Sequence, residues 1–140
     1  MKTLEFINLE ACDEAAEWAQ GKTWEEVYKT CHRGDWLLWL FAKTNPDNLQ
    51  ELTLAKGHCD NTVRHLMQDE SMAAVDAAIA FGEGKITKEE LYAAAYAAAY
   101  AAAYAAEAAD AAAAYAAKKE NQKQTADICR KYLPIEMWNI

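Results

Sequence analysis

Three histidines and four cysteines are the side chains best suited to hold a metal or to act as nucleophiles: His32, His58 and His65, with Cys12, Cys31, Cys59 and Cys129. Cys31 adjoins His32, Cys59 follows His58, and His58 and His65 stand seven apart, on one face if a single helix carries both. A zinc site or a Cys–His nucleophilic pair would need these groups to converge. No Cys-x-x-Cys or His-Glu-x-x-His spacing occurs, so no metal and no cofactor is expected. Gly82-Glu83-Gly84-Lys85 ends in Gly-Lys, but Ile79 stands where a phosphate loop needs its first glycine. The paired acids Glu25-Glu26, Asp69-Glu70 and Glu89-Glu90 fall at expected helix starts, where the helix dipole favours them without any acid–base role. The chemistry-bearing residues point away from an enzyme.

The densest block is Cys31-His32-Arg33-Gly34-Asp35-Trp36-Leu37-Leu38-Trp39-Leu40. Gly34 permits a turn closed to other residues, Asp35 can cap the following helix, and Arg33 is near enough to pair with it. Trp36 and Trp39, at i and i+3, put two indoles on nearly one face. This block is read either as a rigid helix entry over a tryptophan-rich core or as a recognition site lined by Arg33, Asp35 and Trp36.

Helix-type periodicity positions these residues. A first helix is expected from Asn8 or Leu9 to Gln20, ended by Gly21. Thr23-Trp24-Glu25-Glu26 is a capping box that opens a second helix. A third carries Trp36 to about Lys43. After the Asn45-Pro46-Asp47 turn, a long amphipathic helix is expected to about Met67, with Leu49, Leu52, Cys59, Val63 and Leu66 as its apolar stripe. Asp69 or Ser71 opens a shorter helix closed by Gly82-Glu83-Gly84, and Thr87-Lys88-Glu89-Glu90 is a second capping box.

Residues 93–117 are low complexity: 19 of 25 are Ala, and Ala-Ala-Ala-Tyr occurs three times in tandem. Alanine is the best helix former. At ~100° per residue, Tyr92, Tyr96, Tyr100, Tyr104 and Tyr115 share a sector with Glu89, Glu107 and Asp110, and the remainder is almost pure alanine, with Leu91 among it. The alanine side is expected to be buried as the pillar of the bundle. The tyrosines then either line a seam between helices or form an exposed recognition stripe. A straight helix from Lys88 to about Lys118 would be ~46 Å long, against a compact diameter of about 37 Å. A homodimer through this helix therefore has a physical motive. Beyond Lys118 a polar run to Gln124 suggests either a break or a slowly wrapping buried face. Leu133-Pro134 ends the helix, and Ile135, Met137 and Trp138 form a tail packed back on the bundle. The fold class is all-α: one domain over residues 1–140, a bundle of six or seven helices around a long alanine-rich helix.

With 140 residues, 22 acidic against 14 basic side chains and a net charge of −8, the chain suits a protein partner with a basic surface. Nucleic acid and anionic membranes call for Lys and Arg fields that it lacks. Glu107 and Asp110 interrupt the alanine run, and no basic flank precedes it, which argues against a membrane span. The start, with Leu4-Glu5-Phe6-Ile7-Asn8, contains no signal-peptide core, so a cytoplasmic location and reduced, buried thiols are expected.

Four features resemble the predicted immunity proteins of bacterial polymorphic-toxin systems, a small helical family also found in phage genomes. They are Ala16-Glu17-Trp18-Ala19 with Gly21-Lys22-Thr23, the block from Arg33 to Leu40, the alanine-rich late helix, and Ala126-Asp127-Ile128-Cys129-Arg130-Lys131-Tyr132-Leu133-Pro134. The resemblance implies a cytoplasmic protein that neutralises a toxin by binding it, with no catalytic residues. The residues expected to meet the partner are Glu14, Glu17, Arg33, Asp35, Trp36, Tyr96, Tyr100 and Tyr104. Two other functions stay open: a phage protein that inhibits a host defence enzyme, and a metal- or thiol-dependent enzyme using the histidines and cysteines.

Overall fold

Thr23 and Thr87 each start a helix by the reciprocal hydrogen bonds that their spacing to a glutamate three residues on predicts. Thr23 Oγ1 accepts from the Glu26 amide at 3.2 Å while the Thr23 amide donates to Glu26 Oε2 at 2.9 Å. The Glu90 amide donates to Thr87 Oγ1 at 3.2 Å, and the Thr87 amide to Glu90 Oε1 at 3.3 Å. The structure, a computed structural model, describes the backbone of residues 11–105 and 111–138 and the side chains of residues 11–97 and 118–138. The α-helices are α1 (Asp13–Ala19), α2 (Trp24–Thr30), α3 (Gly34–Thr44), α4 (Leu49–Asn61), α5 (Asp69–Gly82), α6 (Lys88–Ala105) and α7 (Ala111–Tyr132), with 3-10 turns at Arg64–Leu66 and Ile135–Met137. The fold is an all-α bundle, with no strand among the described residues. The expected first turn at Asn8 or Leu9 lies outside those residues; Gly21, at φ 78°, closes α1 as expected.

α3, α4 and α7 form the heart of the bundle, each packed on the other two. Leu37, Leu40 and Phe41 of α3 meet Ala55 and Cys59 of α4 and Ala126, Cys129 and Leu133 from the α7 end of the chain. From there the layers run outward: α5 lies on α4, and α6 on α5. Glycines set two of these crossings. A Cβ on Gly34 would stand 2.6 Å from the Thr125 carbonyl carbon, and one on Gly82 2.7 Å from Leu54 Cα. Gly34 thus serves a close helix crossing. It is not among the positive-φ glycines Gly21 and Gly84, so the expected special turn is absent.

Several expectations are corrected. The buried pillar among the described residues is the second half of α7, where Thr125, Ala126 and Cys129 are buried with Leu133 just beyond; of the alanine run, Ala93, Ala95 and Ala97 are exposed and the side chains of 98–117 lie outside the described residues. Leu91 is buried and Ala94 half-buried, so α6 does turn its alanine side to α5, but bare alanine supplies little area to bury. No break occurs at residues 118–124, where α7 is continuous. Positions 121, 125, 129 and 133 recur every fourth residue and keep one face inward, and the half-buried Asn121 donates to Thr62 Oγ1 at 2.6 Å. That same threonine ends α4 early, its hydroxyl donating to the Cys59 carbonyl at 2.7 Å. The expected stripe therefore stops at Cys59; Leu66 is 76% exposed and Leu49 sits at the exposed start of the helix. Cys31, Cys59 and Cys129 are buried as expected, but Cys12 is exposed, just ahead of α1.

The tail folds back as predicted. Trp138 Nε1 donates to the Leu133 carbonyl at 3.0 Å, and its ring meets Phe41 and Tyr28 edge-on at 5.2 and 5.7 Å. The buried Asn45 donates to the Met137 carbonyl at 2.9 Å. Among the described residues no helix is long and apolar enough to cross a membrane.

Candidate functional site

Arg33 is the hub of the expected recognition block. It lies in the extended link between α2 and α3, at the N-cap of α3. Its guanidinium forks onto Asp35, Nε to Oδ1 at 3.1 Å and NH2 to Oδ2 at 2.7 Å, and lies 4.3 Å over the Trp36 ring. A third contact reaches Glu14 Oε2 at 3.6 Å. Asp35 does not cap α3: it sits in the first turn, where its charge still suits the dipole, and its carboxylate is turned to Arg33. The hydrogen bonds that Arg33 donates to Asp35 raise the pKa of Arg33 and keep the fork charged.

Around this hub the rings of Trp18, His32 and Trp36 lie mutually 5.6 to 5.9 Å apart. α1 and the residues before it, α2 and α3 enclose a recess of about 320 Å³ whose lining includes Cys12, Trp18, Val27, Trp36, Trp39 and Leu40, with Arg33 and Asp35 at its edge. A second recess of about 470 Å³ lies between Glu14, His32 and Arg33 on one side and Lys118, Lys119, Gln122 and Lys123 of α7 on the other. Arg33 lines both.

Four of the eight expected binding residues are thus brought together: Glu14, Arg33, Asp35 and Trp36. Glu17 is exposed on α1 and lines neither recess. Tyr96 belongs to a different surface on α6, where it is 78% exposed beside Tyr92 at 55%. Tyr100 and Tyr104 lie on α6 with side chains outside the described residues, and Tyr115 likewise on α7. Sequence reading missed the lysine wall of α7 and the role of Arg130. Positions 118, 119, 122 and 123 share a helix face, a spacing that was there to be read. Arg130 had no such signal; its Nε donates to the Tyr28 carbonyl at 2.9 Å and its NH2 to the Cys31 carbonyl, closing the end of α2.

Two of the buried thiols are held in their protonated form. Burial pushes the Cys31 thiol up in pKa, and Cys129 is pushed up by its hydrogen bond with Cys59, 3.8 Å away, and by burial. Both shifts disfavour the nucleophilic thiolate. His58 stacks flat on Tyr132, centroids 4.1 Å apart, and His65 is exposed in the turn beyond α4. Among the described residues no three His, Cys, Asp or Glu side chains gather as a metal site would need. No family model, curated protein or solved structure matches the chain.

Proposed function

We propose that this chain is a non-enzymatic, cytoplasmic binding protein that neutralises a toxin by direct contact, as its resemblance to the immunity proteins implies. The observation that carries the reading is the outward face of α6, where Tyr92 and Tyr96 stand 55% and 78% exposed on successive turns. Tyrosine offers a broad, stiff contact with a polar tip, and it is enriched at the energetic centres of protein interfaces. The exposed Glu89 supplies acidic charge beside them, and a net charge of −8 favours a basic partner and faster association. Glu14 and Asp35 contribute less to that field than their number suggests, because Arg33 stands against both.

The test is affinity capture from the native host, followed by a neutralisation assay with the purified partner. The partner's toxic activity should fall on adding the chain and return when Tyr92→Ala and Tyr96→Ala are introduced together. Neutralisation undiminished by the double substitution removes α6 as the docking surface, and a captured partner whose activity is unchanged by the chain removes the inhibitory reading.

A further inference from the structure

Two recesses of unlike chemistry share a wall. One is apolar and aromatic, with Trp18, Trp36 and Trp39 around about 320 Å³. The other, of about 470 Å³, gathers the cations Arg33, Lys118, Lys119 and Lys123, with the His32 ring beside them, against the carboxylate of Glu14. Such a concentration of cations stands out in a chain whose net charge is −8. The wall between them is the Trp18–His32–Trp36 ring cluster with the Arg33 guanidinium laid over Trp36. Both sides are open: the three indoles are half-buried, and the three lysines reach solvent.

We infer that the two recesses form one bipartite site for a nucleotide. Its flat heteroaromatic ring enters among the indoles, and its phosphates lie between Arg33, His32 and the α7 lysines. Indole faces stack on bases without regard to their sequence. Guanidinium and ammonium groups are the usual donors to phosphate oxygens. The apolar recess falls at the lower end of the roughly 300–1,000 Å³ range of small-molecule pockets, which suits a base rather than a larger body. Asp35, lining that recess and 57% exposed, keeps lone pairs beyond its two bonds from Arg33 that base N–H groups can use and an acyl chain cannot. A nucleic-acid strand fits less well, since the cations collect in one recess rather than along a track and the rest of the chain repels a polyanion. This site is built by α1, α2, α3 and α7 and does not depend on the tyrosine face of α6.

The test is calorimetric titration at low salt, with tryptophan fluorescence in parallel, using ADP, GDP, adenosine, guanosine and inorganic pyrophosphate. ADP or GDP should bind one to one, at least tenfold tighter than its nucleoside and than pyrophosphate. The exposed pair Lys118→Ala and Lys123→Ala should weaken nucleotide binding at least tenfold, and Lys29→Ala, on α2, should not. Trp39→Leu should weaken nucleotide and leave pyrophosphate unaffected; if that variant does not fold, the lysine pair decides alone. Pyrophosphate binding as tightly as ADP and GDP, a nucleoside doing so, a single-stranded oligonucleotide binding tighter than either, indifference to the lysine pair, or no binding at millimolar nucleotide would each overturn the inference.

Discussion

The bundle has two unlike flanks. Where α3, α4 and α7 meet, large side chains and close backbone crossings leave no room to spare, and Phe41, Leu37 and Leu133 are all but sealed from solvent. On the α5–α6 flank the described surface of α6 consists mostly of exposed alanine and tyrosine, held to its neighbour through Leu91 and Ala94. The three central helices are stable because of what they bury; α6 owes much of its helicity to alanine's intrinsic preference. Removing side-chain bulk should therefore be costly on the first flank and nearly free on the outward face of α6.

Phe41→Ala is the most damaging substitution expected, at about 3–5 kcal/mol, because a sealed ring against Trp138 leaves a cavity. Gly34→Ala adds only a methyl group but should cost about 2–3 kcal/mol, since Thr125 belongs to the facing helix and its backbone blocks the space. Both are read from urea unfolding midpoints; a Gly34→Ala loss below about 0.5 kcal/mol would show that α3 and α7 can part without penalty.

A pH dependence comes next. Burial lowers the pKa of His58 from its ordinary 6.5; Glu83 opposes the shift and Lys131 adds to it. The unfolded chain then binds the proton more readily than the folded one. This contribution to stability is complete above about pH 6.5, falls as the pH drops through the window just below, and levels off once His58 is protonated in both states. His58→Phe keeps a ring against Tyr132 and should flatten that slope in unfolding midpoints measured from pH 5 to 8. The smallest expected effect is that of Tyr92→Ala with Tyr96→Ala, within about 0.5 kcal/mol in stability. A melting temperature lowered by several degrees would mean that the tyrosines are structural after all.

The sequence announced local events well. The two threonine–glutamate boxes, Gly21 and Leu133-Pro134 act within a few residues of themselves, and each ends or begins a helix as read. What it hid was decided between distant residues. Thr62 stops α4 in concert with Asn121, fifty-nine positions away, so an apolar stripe that looked continuous to Leu66 was not. The inward face of α7 passes through Asn121 and Thr125, polar residues that appear to the eye as surface until Thr62 and Gly34 are set against them. At the entry of α3, the pairing of Arg33 with Asp35 was legible from two-residue spacing. That the lysine face of α7 stands opposite it was not, because nothing local ties α7 to the entry of α3.

Tyr28 and Arg130 are 102 residues apart, yet each takes a hydrogen bond from the other: the tyrosine hydroxyl donates to the Arg130 carbonyl and Arg130 Nε to the Tyr28 carbonyl. On a ribosome α2 must consequently wait for its partner until Arg130 has been synthesised, so any chaperone dependence should concentrate in that interval.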